Sequence, residues 1–184
     1  GTQNTAVGSG ALDSNTTASN NSAFGYNALG SNTTGASNVA LGQFSLDANT
    51  TGGSNTALGH NALTGNTTAS NNTAVGKDAL GLNTTGTENV AVGANCLDAN
   101  TTGSYNIAVG RDSLGANTTG GTNTAYGSAA MPTNTSGAQN VAVGRLALRY
   151  NTTGSSNTGL GYLAGSSVTT GSGGIFIGQG SVPN

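Results

Sequence analysis

Polar and small apolar positions alternate along this chain in a pattern that repeats every 17 residues. Asparagine stands at 4, 21, 38, 55, 72, 89, 106, 123, 140 and 157, ten times without an insertion or deletion. Glycine follows four residues after each, and Gly178 carries the series into a partial eleventh copy. A second asparagine recurs at Asn15, Asn32, Asn49, Asn66, Asn83, Asn100, Asn117, Asn134 and Asn151, each followed by threonine. The unit reads N-[TV]-A-[VL]-G-x-x-A-L-x-x-N-T-T-G-x-x, with positions numbered 1 to 17 below. A fixed period of this size is the signature of a stacked-repeat architecture.

Within one unit, positions 1 to 5, as in Asn89-Val90-Ala91-Val92-Gly93, predict a short strand bounded by turn residues. The Ala-Leu pair at positions 8 and 9 predicts a second short strand, and Asn-Thr-Thr-Gly after it predicts a turn. Helix is disfavoured by the density of Gly, Asn and Thr and by the wrong period. Each unit is therefore expected to form one coil, strand-turn-strand-turn, of an all-β parallel β-solenoid with about ten to eleven coils. At a strand spacing of about 4.8 Å the rod would be roughly 50 Å long. Like residues then stack in columns, so Asn and Thr are expected to form hydrogen-bonded ladders along the axis. The repeat array spans 1–173, and 174–184 is expected to be a partial eleventh coil or a transition to a following domain.

Neighbouring strand residues face opposite ways. Position 3 is alanine in nine of ten copies, with Gly159 in the tenth, which suits the interior of a flat coil. Position 4 gives a bulky row: Val7, Phe24, Leu41, Leu58, Val75, Val92, Val109, Tyr126, Val143, Leu160 and Ile177. Val39, Val90, Ile107, Val141 and Ile175 at position 2 widen it. Exposed, this stripe would amount to about 500 Å², near or above what monomers leave wet. Covering it with identical chains would contribute at most roughly 12 kcal/mol per chain. A homo-oligomer with this row as its interface is the expectation. The alternative places the row inside the coil as its core ladder and alanine outside.

Composition supports a solenoid over a conventional core. Leu, Ile, Val and Phe number 30 of 184 residues, below the fifth or so that an ordinary globular domain uses. The formal charge of -2, from four Lys+Arg and six Asp+Glu, argues against disorder and leaves no basic patch for nucleic acid. No apolar run approaches the roughly 20 residues of a membrane span, so no membrane insertion is expected of this segment. No cofactor is expected, and the single His60 lacks the Cys or carboxylate neighbours of a metal site.

The strand motif, as in Asn4-Thr5-Ala6-Val7-Gly8 and Asn72-Thr73-Ala74-Val75-Gly76, resembles the head repeat of YadA-like trimeric autotransporter adhesins. The NTAVG…NTTG arrays also look like those of bacteriophage tail-fibre proteins, cyanophages especially. The resemblance covers essentially the whole chain. It implies a left-handed β-roll, a homotrimer, and extracellular attachment to a host-surface receptor or glycan from a virion tail or a bacterial surface. YadA heads use shorter repeats, and the added Asn-Thr-Thr-Gly turn fits the phage-fibre variant better. Gly1-Thr2-Gln3 and Val182-Pro183-Asn184 read as interrupted repeats, so the chain is expected to be a segment of a longer fibre.

Individual residues add little chemistry. Cys96 replaces alanine at position 8 and reads as a small buried thiol. Tyr26, His60, Lys77, Arg111, Arg145 and Tyr162 share the variable position 6 and are the expected receptor-facing residues. Asp13, Asp47 and Asp98 share position 10 without forming a continuous carboxylate column. Neither a Ser-His-Asp set nor a phosphate-binding loop occurs, so no enzymatic activity is expected. The recurrent Asn-Thr-Thr is formally a glycosylation acceptor but reads as turn chemistry. Three functions compete with an adhesive fibre: a spacer shaft without receptor contact, an ice-binding solenoid, and a polysaccharide-cleaving fibre.

Overall fold

The computed structural model describes residues 1–181. The expectations for Val182-Pro183-Asn184, including the last part of the 174–184 segment, lie outside the described residues. Each 17-residue unit forms one coil with one strand. The strands are β1 (Thr5–Val7), β2 (Ser22–Phe24), β3 (Val39–Leu41), β4 (Thr56–Leu58), β5 (Thr73–Val75) and β6 (Val90–Val92), then β7 (Ile107–Val109), β8 (Thr124–Tyr126), β9 (Val141–Val143), β10 (Thr158–Leu160) and β11 (Ile175–Ile177). They form a single sheet in chain order, every neighbouring pair parallel. Register is exact in the repeat, for example Val75 beside Val92 and Val92 beside Val109. The chain is thus an all-β parallel β-solenoid of about ten turns, as its period implies.

Among the described residues the second expected strand is absent. The Ala-Leu segment is a turn, and its leucine takes a left-handed backbone: Leu12, Leu29, Leu46, Leu63, Leu80, Leu97, Leu114, Met131 and Leu148 all have φ between 48° and 53°. Position 7, Asn61 and Asp78 among others, is left-handed as well. Branched or bulky residues seldom adopt this conformation, at a cost of about 1–2 kcal/mol each. What offsets it is burial, because the turn swings every one of these side chains into the coil. The leucine column from Leu29 to Leu114, continued by Met131 and Leu148, is fully buried and forms the core with the alanines of positions 3 and 8. These turns still stack: the Leu97 N–H donates to the Ser113 carbonyl of the next coil at 3.0 Å, and the Asn95 N–H to the Lys77 carbonyl of the preceding one at 3.0 Å. Rungs outside the sheet therefore continue the axial hydrogen bonding.

Two buried asparagine ladders form the other wall of each coil. At position 12 the amide of Asn83 donates to Asn66 Oδ1 at 3.0 Å, and that of Asn100 to Asn83 Oδ1 at 2.9 Å. At position 1, Asn72 Oδ1 accepts the backbone N–H of Asn89 at 3.0 Å. Both ladders meet on one atom, since the Gly103 carbonyl receives the amides of Asn89 and Asn100, each at 2.9 Å. Among the described residues no buried side-chain nitrogen or oxygen lacks a partner. Satisfaction this complete is what lets so polar an interior be stable.

The last coils depart from the pattern in a compensated way. Phe176 takes the inward position 3, while the coil before it has Gly159 at position 3 and Gly165 at position 9 in place of Ala and Leu. Phe176 packs against the core. A Cβ on Gly165 would lie 2.7 Å from both the Phe176 ring and Leu148, and one on Gly174 would lie 2.5 Å from the same ring, so Gly165 and Gly174 make room for one aromatic plug.

Candidate functional site

The position-4 row lies outside the coil. Val7, Phe24, Leu41, Tyr126, Leu160 and Ile177 are exposed, and Leu58, Val75, Val92, Val109 and Val143 are half-buried. At position 2, Val39, Ile107, Val141 and Ile175 are exposed on the same face. The interior belongs to alanine and to the position-9 leucines, so the alternative with the row as the coil's own core does not hold. An uninterrupted apolar stripe therefore runs the length of the sheet.

The six position-6 residues, Tyr26, His60, Lys77, Arg111, Arg145 and Tyr162, are all exposed on the turn that follows the strand. They do not act as one cluster. Tyr26 meets Phe44 edge-on at 5.3 Å, and Phe44 meets His60 at 6.4 Å. Lys77 pairs with Asp78, and Arg111 with Asp112 at 3.3 Å. Arg145 lies over the Tyr162 ring at 5.7 Å. The pairing of Arg149 with Tyr150, at 4.9 Å, was not visible as a sequence signal, because positions 10 and 11 carry neither residue type elsewhere.

The turn asparagines Asn32, Asn49, Asn66, Asn83, Asn100, Asn117, Asn134 and Asn151 are fully buried, and Asn15 is half-buried. Their amide nitrogens are all engaged; that of Asn66, for example, donates to Asn49 Oδ1 and the Ala69 carbonyl. In the folded chain these sequons present no free amide to a glycosylating enzyme. Position-13 threonines likewise donate along the axis, as Thr84 Oγ1 does to the Thr101 carbonyl at 2.9 Å. They are held as part of the stack.

Among the described residues, acidic side chains come together at two open depressions. Asp78 and Asp98 line one of about 260 Å³ with Asn61, Thr64 and Leu82. Hydrogen bonding from Lys77 holds the Asp78 carboxyl below its ordinary range, and burial raises that of Asp98. Asp13 and Asp47 line another, and burial raises the Asp47 carboxyl. Among the described residues no three metal-ligating side chains converge. No helix among them is long and apolar enough to cross a membrane.

Cys96 is buried, its thiol donating to the Ala108 carbonyl at 3.2 Å, and burial pushes its pKa up to about 12. Because the thiolate is the reactive form, iodoacetamide is expected to leave the native protein unmodified and to label it fully in denaturant. Rapid labelling of the native chain, followed by mass spectrometry, would contradict that placement.

Fold and surface together define a class: a parallel β-solenoid repeat protein with a polar laddered interior and an apolar external stripe. Comparison of the chain with protein-family models, with curated proteins and with solved structures gives no match.

Proposed function

We propose that this chain is a segment of an extracellular adhesive fibre, built as a left-handed β-roll trimer and carried on a phage tail or a bacterial surface. One observation carries the reading: a stiff solenoid leaves an apolar stripe outside its own core along all eleven strands. A stripe of that length favours a partner that is equally long and equally periodic, and a second copy of the chain meets both conditions. Three copies around an axis would bury the position-4 rows against one another and leave the position-6 turns outside for a receptor. The resemblance of the N-T-A-V-G strands to adhesin and tail-fibre repeats supplies the handedness and the number three. The position-13 threonine hydroxyls are bonded along the axis, which removes one of the two adjacent threonine columns from the flat free array that ice binding needs and favours the fibre reading.

Native mass spectrometry tests it. The unaltered protein is expected at the mass of three chains. Leu41→Asp/Val92→Asp/Val143→Asp is expected at the mass of one, with its β-rich circular dichroism retained because these side chains lie outside the core. A single-chain mass for the unaltered protein would overturn the reading.

A further inference from the structure

We propose that the C-terminal third of the rod binds an acidic, carboxylate-bearing polysaccharide through Arg145 and Arg149. This rests on the adhesive-fibre reading and names the chemistry of its receptor.

Charge is divided along the axis. All six Asp and Glu residues lie at or before Asp112, and residues 113–184 contain Arg145 and Arg149 with no acidic side chain. The cations nearer the N-terminus, Lys77 and Arg111, are taken up by Asp78 and Asp112. Among the described residues, Arg145 and Arg149 have no carboxylate partner. Each is laid on a tyrosine instead, Arg145 on Tyr162 at 5.7 Å and Arg149 on Tyr150 at 4.9 Å.

That arrangement is suited to one kind of ligand. A guanidinium stacked on a ring keeps its donor edge free in a restricted plane, ready for paired bonds to a carboxylate. The tyrosines remain 48% (Tyr150) and 41% (Tyr162) exposed, which leaves ring surface for the apolar face of a pyranose. Both arginines belong to one coil, where they flank the buried Ala147-Leu148 pair. The half-buried Leu146 and Leu163 supply apolar surface at position 7, which holds Asn, Phe or Asp from coil two to coil seven. Two cations per chain are too few for the many phosphate contacts on which nucleic-acid affinity depends. Two arginines with two aromatic faces match a polymer that carries both a carboxylate and a sugar ring in each residue.

The test measures binding of the purified protein to immobilised polygalacturonate, with dextran as the neutral polymer and dextran sulfate as the generic polyanion. Saturable binding to polygalacturonate and none to dextran is expected. Arg145→Gln/Arg149→Gln should weaken it at least tenfold, Arg145→Lys/Arg149→Lys should weaken it nearly as much, and Tyr105→Ala on a distant coil should not weaken it. Absence of binding to polygalacturonate would overturn the proposal. Full retention by the lysine variant, with equal affinity for dextran sulfate, would also overturn it by reducing the effect to net charge. Native mass on the same sample separates the two readings. A trimer that ignores polygalacturonate removes the glycan assignment alone, whereas a single-chain mass removes the fibre reading whatever the polymer result.

Discussion

Replacing Asn100 by alanine is expected to cost about 3–5 kcal/mol of folding free energy, from three buried hydrogen bonds and the groups they leave behind. Asn100 donates to Asn83 Oδ1 and to the Gly103 carbonyl, each at 2.9 Å, and accepts from the Asn117 amide at 2.9 Å. Alanine would strand Asn83 Oδ1 in a site closed to water. The loss falls at mid-array, where a nearest-neighbour stack cannot avoid it by fraying from one end. Asn100→Asp adds a diagnostic. Its carboxylate would face Asn83 Oδ1, left without a donor, and the Gly103 carbonyl, which keeps only the Asn89 amide, so its folded pKa would rise above the unfolded value. Stability of that variant is then expected to increase as pH falls through the raised pKa, since the protonated acid restores one donor. Denaturant titrations at two pH values check both, and a cost under about 1 kcal/mol for the alanine variant would contradict a cooperative ladder.

Gly93→Ala is expected to be nearly as damaging, at about 3 kcal/mol or more, for a reason that involves no side-chain bond. Gly93 has φ 137°, a region alanine rarely enters. A Cβ there would lie 2.7 Å from the carbonyl carbon and oxygen of Gly110 in the next coil. Relief would require the coils to separate, which breaks the stacking that holds them. Gly53→Ser makes the contrast, because other coils carry serine at that unit position and the backbone there is not left-handed. It should change stability by less than about 1 kcal/mol. Equal losses at the two glycines in thermal unfolding would show that the conformational argument is misplaced.

Much of this was readable from residues alone, and the misreading is instructive. Strand position, parallel stacking, the alanine column and the Asn columns all follow from strict identity at a 17-residue period, because only in-register stacking makes identity at such positions useful; which strand face points inward stayed open until burial placed alanine there. The Ala-Leu pair misled. Leucine is not a turn residue by propensity, so Leu80 or Leu97 reads as strand, whereas both sit at positive φ inside a turn. The tertiary gain of burying a whole leucine column overrides the local preference of each leucine. That same column is the principal core, which alternation along the strand could not reveal because it lies on another side of the coil.

The candidate surface was legible to a smaller degree. Variability at position 6 marked Tyr26, His60, Lys77, Arg111, Arg145 and Tyr162 as outward, and all six are exposed. Pairing could not be read from the list. Whether a cation meets an aspartate beside it, as Lys77 does, or a tyrosine one coil later, as Arg145 does, depends on side-chain directions that exist only after the coils stack.

By itself the sequence determined the period, the parallel all-β stacking and the separation of a methyl-lined strand face from a bulky one, but not which of the two lies inside. These depend on residue identity at fixed intervals, and seventeen-residue regularity leaves no competing register. Only the tertiary structure decided that each coil has one strand, that leucine fills the core from left-handed turns, and that two arginines rest on tyrosines at one end of the rod. Such outcomes are set by contacts between coils, where burial and hydrogen-bond satisfaction outweigh the conformational preference of any single residue.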